Sequence, residues 1–352
     1  MDGKQGLVKQ IVLEVTSACN LDCVYCYNVW KSPRCNYPRG QLPLGDLLNI
    51  LDRLIDELAL ESIAISGGEP FLRQDLSQII AFLWSRYVHT VVITNGTLLT
   101  QERIEQTPGV LNYELPLLSY RREVHDRLTR REAFDRLIEG ALNLRRAGER
   151  FAIAFIATRL NHADLQKTLE LAVALGAEGV LYNRMNVSAH NYSHLQELLP
   201  SLDMIRENLD ILDDFAGLYH FPISSSIPIP PCLIDTSKYK NLQFGLCPLG
   251  GKNSYFTVDP LGNLRVCNHS SVVLGNLLED SFWDLYQRSY VDQFKTVMPE
   301  SCLECAAEVR QSCQGGCKAA AEECFGSFKD EEPFLACNQA YRKIPIQSIS
   351  SG

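Results

Sequence analysis

Ile11-Val-Leu-Glu-Val15-Thr-Ser-Ala-Cys19-Asn-Leu-Asp-Cys23-Val-Tyr-Cys26 carries most of the architectural information in this chain. The opening Ile11–Val15 run is apolar and β-branched, as a buried strand requires. A polar loop with three thiols follows it directly. Three thiolates so closely spaced can bind three corners of a cubane cluster, whereas a tetrahedral zinc site normally takes four ligands in two separated pairs. No fourth cysteine stands at ferredoxin spacing, and Cys35 lies nine residues beyond Cys26. Three protein ligands leave one iron open, and an open iron can bind a substrate or cofactor. A zinc knuckle or a redox thiol site is the plainer alternative.

Downstream, strand-like and helix-like segments alternate. Leu44, Leu47, Leu48, Leu51, Leu54, Ile55 and Leu58 recur at helical spacing. SIAIS from Ser62, TVVIT from Thr90, VLNYELPLL from Val110, FAIAFIAT from Phe151 and Gly179–Asn183 read as strands. Helices are expected at 75–84, 132–147, 164–175 and 204–215. Repeated units of this length demand a parallel sheet. Six of them predict an α/β fold with a partial (β/α)₆ barrel rather than a full eight. Functional residues of such folds collect in loops after the C-terminal ends of the strands.

Those loops hold further candidates. Ser66-Gly67-Gly68-Glu69-Pro70 follows the second strand, where glycines let backbone approach a ligand closely. Asn95-Gly96 ends the third strand, with an ordinary turn as the equal alternative, and Ser119 ends the fourth.

The pattern changes near Phe221. FPISSSIPIPP, residues 221–231, reads as a linker, and nine of the thirteen cysteines lie beyond it. Periodicity there is poor, so the segment needs metal to hold its shape. Asp259-Pro-Leu-Gly-Asn263 predicts a hairpin turn that brings Cys247 and Cys267 together. Cys302-x2-Cys305, Cys313-x3-Cys317 and Cys337 follow. A zinc ribbon on the Cys302–Cys317 group alone would leave Cys247, Cys267 and Cys337 unexplained. The divisions expected are 1–220 for the barrel, 221–231 for the linker, 232–345 for a small cysteine-rich α+β domain, and 346–352 for a tail.

The Cys19–Cys23–Cys26 triplet, with Tyr25 before its last cysteine, resembles the signature of the radical S-adenosylmethionine (SAM) superfamily. Ser66–Pro70 is similar to the family's GGEP motif. The seven later cysteines, with Leu274-Gly-Asn276 and Trp283-Asp284, resemble the SPASM domain of radical SAM peptide-modifying enzymes. The resemblance implies a [4Fe-4S] cluster on Cys19, Cys23 and Cys26 whose open iron chelates SAM. An electron from it gives a 5′-deoxyadenosyl radical that abstracts hydrogen from substrate. It implies SAM contacts from Gly67, Gly68, Glu69, Pro70, Asn95 and Ser119, with Glu69 on the methionine amino group. An Arg for the SAM carboxylate is left open among Arg127, Arg130 and Arg131. It further implies two auxiliary iron–sulfur clusters, one on Cys247, Cys267 and Cys317, the other on Cys302, Cys305, Cys313 and Cys337. The first lacks a fourth cysteine, since Asn253 stands near its expected place. An open iron, a non-Cys ligand such as His269, or Cys232 would complete it. Cys232 as a plain buried thiol is an equal alternative, and Cys35 and Cys324 are taken as structural.

Relatives of this kind act on ribosomally made peptides, with a flavodoxin or ferredoxin as electron donor. The chain starts almost at its first strand, so a separate peptide-recognition protein is an expected partner. A small metabolite, a tetrapyrrole or an aminoglycoside, is the alternative substrate, and an iron–sulfur or zinc scaffold the non-enzymatic one. No catalytic base is identifiable. A net charge of -9 argues against a nucleic-acid partner. The lack of a long apolar run or signal peptide points to the cytoplasm, away from membrane.

Overall fold

The computed structural model describes residues 7–31, 37–247, 249 and 254–337. Cys35, Asn253 and the expected tail fall outside the described residues, as does the side chain of Cys337.

The six expected strands form as β1 (Gln10–Glu14), β2 (Ser62–Ser66), β3 (His89–Ile93), β4 (Val110–Pro116), β5 (Phe151–Ala157) and β6 (Val180–Arg184), all parallel. Between them run α1 (Leu44–Leu58), α2 (Leu76–Ser85), the short α3 (Gln101–Glu105), α4 (Arg122–Thr129), α5 (Phe134–Ala147) and α6 (Leu165–Leu175). Each long helix buries one stripe. In α1 the stripe is Leu47, Ile50, Leu51, Leu54, Ile55 and Leu58, the positions whose spacing identified the helix. Helix α4 was not expected, because its eight residues bury only His125, Leu128 and Thr129.

After β6 come α7 (Leu195–Leu198) and α8 (Leu202–Tyr219), then β7 (Ile223–Ser225) and β8 (Gln243–Phe244), which extend the sheet in parallel. Strand β7 lies within residues 221–231, so part of the expected linker is sheet edge. On the opposite edge, β9 (Tyr255–Val258) pairs parallel with β1. β10 (Asn263–Arg265) and β11 (Gly275–Asn276) follow antiparallel. One open sheet thus runs in the order β11-β10-β9-β1-β2-β3-β4-β5-β6-β7-β8. The cysteine-rich C-terminal region is stitched to the barrel through its first strand. A buried ion pair between Glu14 on β1 and Arg265 on β10 closes that seam.

The β9–β10 turn forms as the sequence predicts. Asp259 Oδ1 accepts from the backbone N–H of Leu261 and Asn263, both at 2.8 Å. Beyond it lie α9 (Phe282–Tyr286), α10 (Ser289–Thr296), α11 (Ala307–Cys313), α12 (Lys318–Phe325) and α13 (Pro333–Cys337). Among the described residues, no helix is long and apolar enough to cross a membrane.

Candidate functional site

The cysteine loop after β1 is strapped to the turn after β2. Gly68 N–H donates to Thr16 O and Glu69 N–H to Ala18 O, each at 2.8 Å. The buried Asn28 amide donates to Gly67 O at 2.7 Å. This contact explains the glycines. A Cβ on Gly67 would stand 2.5 Å from Thr16 O, and one on Gly68 2.0 Å from Ala18 O. Gly67 also adopts φ +125°, a conformation that L side chains rarely take.

Glu69 holds the β2 and β3 ends together. It is fully buried. Oε1 accepts from Phe71 N–H at 3.0 Å and from the Thr94 hydroxyl at 2.7 Å; Oε2 accepts from Asn95 N–H at 2.8 Å. Burial raises its pKa, which these hydrogen bonds oppose. The Asn95 amide in turn donates to Asn20 Oδ1 at 2.8 Å, and Asn95 Oδ1 accepts from Thr97. Pro70 starts the tight turn behind Glu69.

A second clamp comes from the loop after β6. Ser188 Oγ donates to Cys26 O at 3.2 Å, and the Asn191 amide donates to Tyr25 O at 3.2 Å. Sequence reasoning passed over Asn28, Ser188 and Asn191. The signal available was the polar run Asn183-Arg-Met-Asn-Val-Ser-Ala-His-Asn191 where a strand ends.

One large cavity, about 640 Å³, opens at this end of the sheet, within the range of small-molecule sites. Cys19, Cys23 and Cys26 line it together with Gly67, Gly68, Asn95 and Lys31. Cys247, Cys267 and Cys317 line it too. The two thiol sets, more than two hundred residues apart in sequence, therefore share one chamber. The join between β9 and β1 makes this unavoidable. Burial pushes the Cys23 thiol up to about 12 and the Cys317 thiol to about 11, so the neutral forms dominate until a metal takes the proton's place.

Many of the sheet residues that line the chamber are apolar, Val12, Ala64, Val91, Ala154 and Leu181 among them, while Ser62, Asn183 and Arg184 are polar. Glu114 on β4 is polar too. Burial in the cavity wall pushes its carboxyl up to about 7. Arg184, at the end of β6, is fully buried and donates twice to Glu332, at 2.8 and 2.7 Å, while its Nη1 has no hydrogen-bond partner among the described residues. Glu332 also accepts from Cys317 N–H at 3.2 Å. His269 stacks on Tyr27 with centroids 4.0 Å apart, and its Nδ1 lies 2.6 Å from the Asn186 amide.

Other expected residues lie elsewhere. Ser119 is buried outside the chamber wall, donating to Asp164 at 2.7 Å and accepting from Arg121 N–H. Arg127, Arg130 and Arg131 are exposed, and Arg127 pairs with Glu197. Cys232 does not stand with Cys247, Cys267 and Cys317. It lines a second, small pocket with Cys302, Cys305 and Cys313. Of the completions left open for the first auxiliary set, the one through Cys232 is therefore set aside. The Pro228–Pro231 run directs the chain away from the chamber and toward α11.

A parallel α/β half-barrel with a thiol triplet after its first strand and a glycine turn after its second defines a class. The radical SAM superfamily profile matches residues 13–172, and the chain is a member of that superfamily. It is an enzyme that uses SAM and an iron–sulfur cofactor. The chain is 28% identical to the AdoMet-dependent heme synthase of Methanosarcina barkeri, over 92% of this chain and 95% of that protein. It is 27% identical to the mycofactocin maturase MftC of Mycolicibacterium smegmatis, over 90% and 80%. Among solved structures, SuiB of Streptococcus suis with its precursor peptide SuiA superposes at a TM-score of 0.73, at 15% identity, covering 98% of this chain and 76% of that one. The last likeness concerns fold alone.

Proposed function

We propose that the chain modifies a ribosomally synthesised peptide by radical SAM chemistry in the shared chamber. When bound, the cluster and SAM supply a 5′-deoxyadenosyl radical that removes a hydrogen atom from substrate. Cys19, Cys23 and Cys26 hold that cluster, leaving one iron for SAM. Gly67, Gly68 and Asn95 line the SAM side of the chamber, and Glu69 with Pro70 fixes their backbone from behind. Ser119 acts one step removed, by orienting Arg121 and Asp164. Cys247, Cys267 and Cys317 hold an auxiliary cluster on the facing wall, and Cys302, Cys305 and Cys313 belong to a second. Glu114 accepts a hydrogen bond from the substrate within the sheet wall of the chamber.

The observation that carries this reading is the common chamber of the two cysteine sets. It suits a reaction in which substrate lies between a radical source and an electron acceptor. The donors fit the groups: partly buried thiols, not carboxylates, as iron–sulfur clusters require. A peptide is favoured by the relatives, MftC and a PqqA peptide cyclase that is 25% identical over 94% of this chain. A precursor peptide and a flavodoxin or ferredoxin donor are the partners implied. A tetrapyrrole is the second reading, favoured by the end-to-end match with the heme synthase.

The test is anaerobic reconstitution, reduction with dithionite, and chromatography for 5′-deoxyadenosine. Any short peptide found encoded beside this gene and an iron tetrapyrrole are added separately. Stimulation of 5′-deoxyadenosine by the peptide, with a mass change on it, is expected. Stimulation by the tetrapyrrole alone would replace the peptide reading. No 5′-deoxyadenosine above a Cys23→Ala control would defeat both.

A further inference from the structure

Arg127, Arg130 and Arg131 stand exposed at the C-terminal end of α4. That end of the helix is bonded to the back of the cysteine loop. Cys19, Leu21, Cys23, Tyr25 and Cys26 line the chamber, while the residues between them turn to α4. Asp22 N–H donates to Thr129 O at 3.2 Å and Val24 N–H to Leu128 O at 3.0 Å. Asp22, which directly precedes Cys23, is itself exposed, so the loop reaches solvent at this point. Arg130 Nη1 stands 3.8 Å from Asp22 Oδ2. Arg127 reaches Glu197 on α7 at 2.6 Å, just past the Ser188 and Asn191 clamp on Cys26 and Tyr25.

The charge here runs against that of the whole chain. Residues 121–131 hold five arginines against Glu123 and Asp126, a balance of +3, in a chain of net charge -9. Asp126 is spent on the start of α5, where it accepts from Ala133 and Phe134 N–H at 2.8 and 2.9 Å. Arg131 makes no ion pair among the described residues. The exposed pairs of Arg127 with Glu197 and Arg130 with Asp22 are weak, so these guanidinium groups can pass to the carboxylates of a partner. A basic face on an acidic molecule orients an acidic partner, repelled elsewhere and attracted here.

We infer that the face formed by Arg127, Arg130 and Arg131 over Asp22–Val24 is the docking surface of an acidic one-electron donor protein of the flavodoxin type. Electron transfer slows steeply with distance, and on this face only the thickness of the loop separates a docked protein from the three thiols. One electron leaves the donor's anionic flavin hydroquinone, which becomes the neutral semiquinone. It reduces the cluster on Cys19, Cys23 and Cys26 from the 2+ to the 1+ state, and no proton moves. The donor approaches from behind the loop, so the chamber stays free for SAM and substrate. The inference rests on the cluster proposed above for that triplet.

Stopped-flow mixing of reduced flavodoxin with the anaerobically reconstituted full-length protein tests it, read from the semiquinone absorbance. Wild type should be reduced at a rate that falls steeply with added salt. Arg127→Glu/Arg131→Glu is expected to be reduced about tenfold or more slowly, with a flatter salt dependence. Arg145→Glu/Arg146→Glu makes the same charge change at the far end of α5 and should stay within about twofold of wild type. Photoreduction with 5-deazariboflavin, a small uncharged reductant that needs no docking, should give the SAM-responsive paramagnetic signal equally in all three proteins. That equality shows that each is folded and holds the cluster. An unchanged flavodoxin rate in Arg127→Glu/Arg131→Glu, or an equal loss in both double variants, overturns the inference. So does a wild type that flavodoxin fails to reduce while photoreduction succeeds. Loss of the photoreduced signal in Arg127→Glu/Arg131→Glu alone would place these arginines with the cofactor and overturn it as well. No SAM-responsive signal in photoreduced wild type would defeat the cluster reading itself, and the inference with it.

Discussion

The two cysteine regions differ in what holds their sulfurs in place. The triplet loop is fixed by protein. Val15 N–H donates to Ser66 O at 3.0 Å, Val24 N–H to Leu128 O at 3.0 Å, and Gly67, Gly68 and Glu69 bind the loop from β2. These contacts span 39 to over 100 residues of sequence. From Pro299 to Gly316 the hydrogen bonds seen are local, such as Cys302 N–H to Pro299 O and Gly316 N–H to Cys313 O. The helix there, α11, has seven residues, too short to be stable on propensity alone. The first site is held by protein contacts alone, and on the proposed reading the second would depend on a metal for its shape.

The largest expected effect breaks the comparison in one step. Removing iron should leave the barrel folded and open the C-terminal helices. Trypsin should then cleave within 299–337 at least about tenfold faster than in holoprotein, by mass spectrometry, with cleavage in 44–225 unchanged. Equal acceleration in both regions would show that metal holds both.

Next in size is Glu69→Ala. It leaves the Thr94 hydroxyl and the N–H groups of Phe71 and Asn95 without their acceptor, a loss of about 3 kcal/mol or more by urea unfolding. A loss below about 1 kcal/mol would mean that the β2–β3 junction is not fixed by this carboxylate.

His125 sharpens the contrast through pH. Burial against Leu118 and Phe134 lowers its pKa from 6.5 to about 4, which the neighbouring Asp126 carboxylate opposes. The unfolded state therefore binds the proton first, and stability falls as pH drops from 6.5 toward 4. Between pH 6.5 and 5 its share is about 2 kcal/mol. His125→Phe should show a flatter pH dependence by that amount, and an unchanged slope would contradict the assignment.

The smallest effect concerns the chamber wall. Glu114→Gln keeps the shape and removes the charge. Product formation is expected to fall about ten- to a hundredfold, with 5′-deoxyadenosine formed in substrate-free assays unchanged. Equal loss of both would move Glu114 from substrate to cofactor.

Much of this was legible in the residues because it is local. Strand and helix periods, the Cys19–Cys26 spacing and the Asp259–Asn263 turn all depend on near neighbours. The β9–β1 pairing is not local: Gln10 lies opposite Tyr255, and nothing in either segment names the other. For the same reason the shared chamber and the true neighbours of Cys232 were hidden. Ser119 illustrates a different failure. Its position at a strand end was read correctly, but Asp164 on a later loop claims its hydroxyl. Asn28 was missed because a lone asparagine carries no pattern, although it binds the carbonyl of Gly67.

Electron paramagnetic resonance of the reduced protein, with and without SAM, bears most directly on the triplet's role. SAM is expected to shift the g-values of one [4Fe-4S]⁺ signal in wild type, and that signal should be missing in Cys23→Ala while the others persist. A spectrum that SAM leaves unchanged, or changes equally in Cys23→Ala, would contradict the assignment of the open iron to Cys19, Cys23 and Cys26.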